Sequence, residues 1–446
     1  MAAVTANGSP PGQLRRVLSL PEMTAAGVGI IVGAGIYVLV GEAAADAGAA
    51  VWMSFALAGV LSALTALSYA ELAGMFPRAG AEFEYARHVF PRWLTFLVGW
   101  MMAAGLVVAA AAVALGFAAY VREFVDIEIR IPALGLIAGV VAIGAAGVRE
   151  SIRVTVVLSA MVVVGLLGVV AVALPTVGEV DLVEGARAGG VLSGAALVFF
   201  AFIGFDEVNN LAEEARDPTR TIPRAILLGL GISTLLYVLV AVTAVSAVGP
   251  ERLAAAERPL TLVVRERVSD RAGEALSVVA LMATASTTLM ALTSASRLIF
   301  SMARAGALPA GAAKVDAGAG VPRRALIAAG AVAALFALIG DIGVVAEATD
   351  VAIYFIFLAV NVLVIVFRRR EPEMPRPFRI RGAIGWVPVA PVLGLAVTVL
   401  LMTRIDPVPL GAAVGMGAAG LGLHALLRLR ERRAERGGAP PKLISG

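Results

Sequence analysis

Apolar runs of about 20 residues recur along the whole chain, each long enough to cross ~30 Å of hydrocarbon as a helix. Short charged or Pro/Gly-rich breaks separate them. Twelve can be marked off, at roughly 22–46, 50–75, 93–122, 131–147, 151–174, 190–214, 222–248, 272–304, 322–340, 344–367, 386–403 and 407–429. Strands of a membrane barrel would alternate apolar and polar residues, whereas these runs are continuous and rich in alanine and glycine, as packed helices are. The pattern therefore predicts an all-α integral membrane protein with 12 transmembrane helices.

Two runs are interrupted. The first carries Gly27, Gly29, Gly33 and Gly35 within nine positions, and each glycine costs a helix about 1 kcal/mol relative to alanine. The sixth reads Phe199-Phe200-Ala201-Phe202-Ile203-Gly204-Phe205-Asp206, where a glycine and an acid break an apolar stretch. An Asp at membrane depth costs roughly 2.5–3.5 kcal/mol, so it faces a cavity or a partner.

Breaks in segments one and six are what a five-plus-five inverted repeat predicts, with substrate at the midplane between them. The chain then divides into an N-terminal tail (1–20), a first repeat (21–174), a second repeat (189–368), two further helices (386–429) and a C-terminal tail (430–446). An unwound helix exposes amides at the start of its downstream half and carbonyls at the end of its upstream half. A zwitterionic amino acid presents a carboxylate to the first and an ammonium to the second. For Gly27 and Gly29 the alternative is helix packing, since small residues line helix contacts in membranes.

Composition agrees with the pattern: the chain is 60% hydrophobic with a mean hydropathy of +0.91, above the usual share for a soluble protein. The first twenty residues lack an apolar core, which argues against a cleaved signal peptide. With the N-terminus inside, 27 of the 36 Lys and Arg fall on the cytoplasmic side and nine outside, which predicts cytoplasmic termini and a cell-membrane location. The net charge of +4 is thus mainly topology, and the arginines flank helices instead of forming one nucleic-acid-binding face. There is no cysteine, and only His88 and His424 could supply imidazole. An enzyme, a resident cofactor and a firm metal site are therefore not expected, nor is direct ATP drive, since no GxxxxGK[ST] loop is present. No protein partner can be named.

The ordered set Gly33-Ala34-Gly35-Ile36-Tyr37, Tyr69-Ala70-Glu71-Leu72, Pro77-Arg78-Ala79-Gly80, Phe200 to Asp206, Glu213 to Pro218, Ile222 to Ile226 and Arg304 to Pro309 resembles the amino acid–polyamine–organocation superfamily. The closest resemblance is to its cationic amino acid transporter branch and bacterial relatives. It implies the leucine-transporter-type fold and a secondary amino acid transporter working by alternating access, ion-coupled or exchanging. The alternative within that fold is a polyamine or cationic amino acid exchanger, and more remote readings are a channel, a receptor or a membrane enzyme.

By the same resemblance Ala34, Gly35 and Ile36 amides would grip the substrate carboxylate beside Gly33. Carbonyls of Ile31, Phe200 and Ile203 would hold its amine, and the Phe200 ring would gate the site. Asp206 aligns with an acid that senses protons in some relatives, or else caps the downstream half-helix. Asp350 is a second candidate for recruiting a proton or substrate. Some proton-coupled relatives carry a lysine in helix five, which this chain lacks over Leu158 to Val164. Thr284, Thr287 and Thr288 share one helical face and could coordinate Na⁺ instead; back-bonding to the preceding turn is the alternative. The coupling ion expected is thus H⁺ or Na⁺. An apolar wall around Met101 to Val108 favours neutral side chains, and Glu71 is expected to pair with loop arginines.

Overall fold

In the computed structural model, which describes residues 18–76, 81–145, 152–184, 186–209, 215–313 and 322–436, the protein is built almost entirely of helices. The first expected span is two helices, α1 (Leu20–Ile31) and α2 (Gly35–Ala47), followed by α3 (Val51–Met75), a short α4 (Ala81–Val89) and α5 (Arg92–Val121). Next come α6 (Arg130–Ala145), α7 (Ile152–Ala173) and α8 (Ala188–Val198), the last passing into a 3₁₀ turn over Phe199–Phe202. The rest comprises α9 (Pro218–Val248), α10 (Pro250–Ala255), α11 (Pro259–Arg267), α12 (Asp270–Arg304), α13 (Arg323–Ala337), α14 (Ile342–Arg370), α15 (Val389–Met402) and α16 (Pro407–Arg436). Each of the twelve apolar runs thus contains a helix. Seven stretches of the described residues are long and apolar enough to cross a membrane, and four further apolar helices are shorter.

One boundary moves. The run expected from 386 begins as a two-stranded hairpin, β1 (Ala383–Ile384) with β2 (Val387–Pro388), because Gly382 and Gly385 take positive φ (76° and 63°) and turn the chain. The Pro77–Gly80 motif and Glu213–Glu214 lie outside the described residues.

The centre is α5, whose most apolar window is 89% buried, whereas that of α16 is 11% buried. A helix apolar on every side belongs in the interior, and α5 packs against α12 and α14. Around it α3 and α1 pack on α9, and α2 packs on α8. α1 and α9 approach closely because glycine faces glycine: a Cβ on Gly229 would stand 3.4 Å from the Gly27 backbone. Gly27 therefore serves helix packing.

A buried polar ladder ties α3 to α14. Ser68 donates to the Asn361 side chain (2.6 Å), and Asn361 donates to Thr65 (3.0 Å). Two turns on, Arg368 Nε donates to Glu71 (2.9 Å), and Arg376 stands 3.4 Å from the same carboxylate. Glu71 also accepts from the Ile380 amide (2.9 Å), so both of its oxygens are engaged. This is the expected pairing of Glu71 with basic residues, drawn partly from a helix end and partly from a loop. The loop holding α10 and α11 pairs Arg252 with Glu266 internally and is tied to the end of α5 through Arg258–Glu123 and Arg122–Glu257.

Candidate functional site

Helical hydrogen bonding stops at Ile31 and resumes at Gly35. In the sixth run α8 tightens into the 3₁₀ turn, Ile203 is extended (φ −60°, ψ 137°), and Gly204 takes φ +116°, a backbone region that glycine enters without strain. The two breaks interlock. A Cβ on Gly35 would stand 2.6 Å from Ala201 Cα, and one on Gly204 would stand 3.0 Å from the Ile30 side chain. Glycine at both positions is what lets two unwound segments cross in contact.

Between the breaks lies a cavity of about 80 Å³, space for several waters at roughly 10–15 Å³ each. Gly29 to Gly35 and Phe200, Ala201, Ile203 and Gly204 form its backbone floor. Leu106, Ala109 and Val113 of α5, Val162 of α7 and Met290 of α12 make its walls apolar. Among the described residues no Lys or Arg lines it, and Glu207 and the hydroxyls of Ser286 and Thr287 are its polar side chains. α2 starts at Gly35 in this lining, and the first amides of a helix have no carbonyl one turn earlier in the helix to receive them.

The structure thus gathers Ile31, Gly33, Ala34, Gly35, Phe200, Ile203 and Thr287 around one space. It does not bring the remaining expected residues there. Ile36 is fully buried one position beyond the lining. The α5 wall is a face displaced toward Val113, and of Met101 to Val108 it includes Leu106 alone. Gly29 joins the lining.

The three threonines use their protons locally. Thr284, Thr287 and Thr288 donate to carbonyls four residues earlier at 2.8–2.9 Å, the back-bonding that membrane helices favour. Thr284 and Thr288 are fully buried away from the cavity. Thr287 faces Gly33, where a Cβ would meet its Oγ1 at 2.8 Å.

Asp206 is 5% exposed, and its Oδ1 accepts from the Gly204 amide (3.2 Å), closing a turn over the second break. Asp350 is fully buried in α14, close to the Phe200 backbone, with neither carboxyl oxygen in a hydrogen bond.

Tyrosines hold the breaks, a role marked in the sequence only by their being rare polar tips in apolar helices. Tyr237 of α9 places its hydroxyl 2.8 Å from the Ile31 carbonyl and 3.0 Å from the Ala201 carbonyl. Tyr37 donates to Val162 O (3.0 Å) and Tyr120 donates to Tyr37 O (2.8 Å), joining α7, α2 and α5. Gly165 makes room for this, since a Cβ there would stand 2.8 Å from the Tyr37 hydroxyl. The lysine-free stretch of the fifth run is thus where a phenol docks.

Phe200 also lines a second, collapsed space with Val38, Leu39, Ile342 and Ala346, which leaves no room for water. The open cavity extends from the breaks toward the face where α1 begins; the collapsed one lies on the side of α2.

A polytopic helical membrane protein with a small apolar cavity between two broken helices is, as a class, a transporter. The chain belongs to the amino acid permease family, whose profile matches residues 18–415. It is 32% identical over 432 residues to an uncharacterized transporter of Mycobacterium tuberculosis, covering 96% of this chain and 95% of that one. It is 29% identical to the branched-chain amino acid permease of Bacillus subtilis, covering 88% of both chains. It is 32% identical to the vacuolar cationic amino acid transporter 4 of Arabidopsis thaliana, over 81% of this chain and 65% of the relative. The family and these relatives are transporters, not enzymes.

Proposed function

We propose that the protein is a secondary transporter of a small neutral amino acid across the cytoplasmic membrane, built as 12 spans on the leucine-transporter-type inverted repeat with both termini cytoplasmic. The observation that carries this reading is the crossing of the two breaks at Gly35 and Ala201 over one cavity. The α2 amides face the substrate carboxylate and the carbonyls at Ile31, Phe200 and Ile203 face its ammonium, so no side-chain cation is needed. Apolar walls suit an aliphatic side chain, in keeping with the branched-chain permease among the relatives.

Transport proceeds by alternating access. The cavity opens toward the cytoplasm while Phe200 separates it from the collapsed outer space, which makes its ring the gate. A proton is the coupling ion. Two buried carboxyls, Asp206 and Asp350, flank the second break, whereas two of the three α12 threonines, Thr284 and Thr288, are buried away from the cavity. Glu207 in the lining favours the second reading, a cationic amino acid or polyamine exchanger.

Uptake of radiolabelled leucine, arginine and putrescine into proteoliposomes decides between them. Saturable leucine uptake, abolished by Gly35→Trp, is expected. Equal flux in wild type and Gly35→Trp overturns the site.

A further inference from the structure

The short helix α4 is polar in sequence, with Glu82, Glu84, Arg87 and His88 in nine residues. Its outer side behaves accordingly: Arg87 is exposed and pairs with Glu84 (3.2 Å). Glu82 instead turns inward and is 7% exposed. The charged group acting on it there is Asp206, 5% exposed and just past the second break. Tyr69 from α3 and Tyr85 from α4 stand in the field of both carboxyls. Their hydroxyls are fully buried; that of Tyr69 is directed at the Glu82 carboxyl, and that of Tyr85 has no hydrogen-bond partner among the described residues. Glu207 lines the cavity and feels Asp206, Glu82 and Arg297, so it leads from the cavity to this buried group.

Two carboxylates buried together without a cation repel, and the low dielectric magnifies the repulsion. One proton shared between them removes it, and the two then titrate as a pair. From this placement we propose that Glu82 and Asp206 jointly hold one exchangeable proton, and that α4 transmits its gain or loss to the broken helix behind the substrate cavity. The inference rests on the transport reading above. It adds a proton acceptor outside the membrane spans and a moving part.

Protonated, the pair lets α4 stay seated on α5 and α14, with Phe83 packed among Phe96, Met302 and Leu308. When the proton passes through Glu207 to cavity water, giving hydronium, two anions remain and push α4 away. Burial with Asp206 nearby pushes the Glu82 carboxyl up to about 8, within reach of the cytoplasmic range.

The test uses the full chain in proteoliposomes with an internal pH dye. Wild type is expected to take up amino acid faster under an inward proton gradient and to acidify the lumen as it does so. Glu82→Gln is expected to lose both responses yet keep amino acid exchange, which needs no net proton movement. Because the chain has no cysteine, spin labels at Arg87→Cys and Arg304→Cys can report α4 directly. Their separation should change as pH crosses about 8 in wild type and stay fixed with Glu82→Gln. Gradient-driven uptake that survives Glu82→Gln, or a wild type indifferent to the gradient, overturns the proposal. Should Glu82→Gln not fold, Glu82→Asp must shift the pH midpoint; an unmoved midpoint overturns it equally. Absence of any wild-type exchange would instead sink the transport reading.

Discussion

The Tyr237 hydroxyl lies 2.8 Å from the Ile31 carbonyl and 3.0 Å from that of Ala201, one on each broken segment. A phenol has a single proton, so it shares that proton or alternates between the two carbonyls. Either way it fixes their separation. Tyr237→Phe takes a donor from both carbonyls, leaving Ile31 O with the Gly33 amide (2.8 Å), at a cost of about 1–3 kcal/mol, and should cut uptake efficiency five- to a hundredfold. Efficiency within a factor of two of wild type would remove Tyr237 from the site's architecture.

Gly35 gives a second, sharper prediction. Its would-be Cβ meets Ala201 Cα, a backbone atom that cannot rotate away. Gly35→Ala should therefore separate the breaks and reduce uptake by at least about tenfold, equivalent to ~1.4 kcal/mol. Gly231→Ala on α9, where nothing stands within 4 Å, is the matched control and should transport normally.

Glu71 and Arg368 are both nearly inaccessible, with side chains 1% and 4% exposed. Removing one partner of such a pair costs about 3–5 kcal/mol where the other charge is left uncompensated; Arg376 and the Ile380 amide still engage Glu71, which puts Arg368→Ala at the lower end of that range. Arg368→Ala should lower the melting temperature in detergent markedly. Exposed Arg220→Ala, whose contact with Asp217 is 3.9 Å and open to solvent, should leave it unchanged.

Phe200 touches both the open cavity and the collapsed space, so truncation acts on two measurements at once. Phe200→Ala removes an apolar contact of about 1–2 kcal/mol, which weakens apparent affinity some five- to thirtyfold. It should also speed efflux from preloaded vesicles with no external substrate. Weaker affinity with unchanged efflux would make Phe200 a pocket wall and not a gate.

The sequence showed the breaks because glycine in an apolar run is a local signal, and Gly33, Gly35 and Gly204 sit where helix hydrogen bonding is absent. It also showed the Glu71 pairing, since a carboxylate at a helix end beside many arginines has few other fates. It did not show Tyr237 or Glu82, since each acts through contacts across large sequence separations. It misplaced the α5 wall because a fully buried helix has no amphipathic stripe to mark the face that meets the cavity. For the threonines the shared face is visible from spacing, but not that only Thr287 of the three reaches the cavity.

Glu82 makes a stability prediction separate from transport. Its carboxyl is pushed from the ordinary value of 4.5 up to about 8 by burial and by Asp206. A folded-state value above the unfolded one means the native protein binds more protons between them, so stability falls as pH rises across that interval. The contribution is complete below 4.5 and is lost as pH passes through about 8. Melting temperature in detergent should therefore decline across this window, and Glu82→Gln, uncharged at every pH, should flatten the decline and be relatively more stable at the alkaline end. The exposed Glu84→Gln controls for surface charge and should follow wild type. Parallel curves for Glu82→Gln and wild type would mean that Glu82 ionises freely in the folded protein, and that the inward turn of α4 stores no proton.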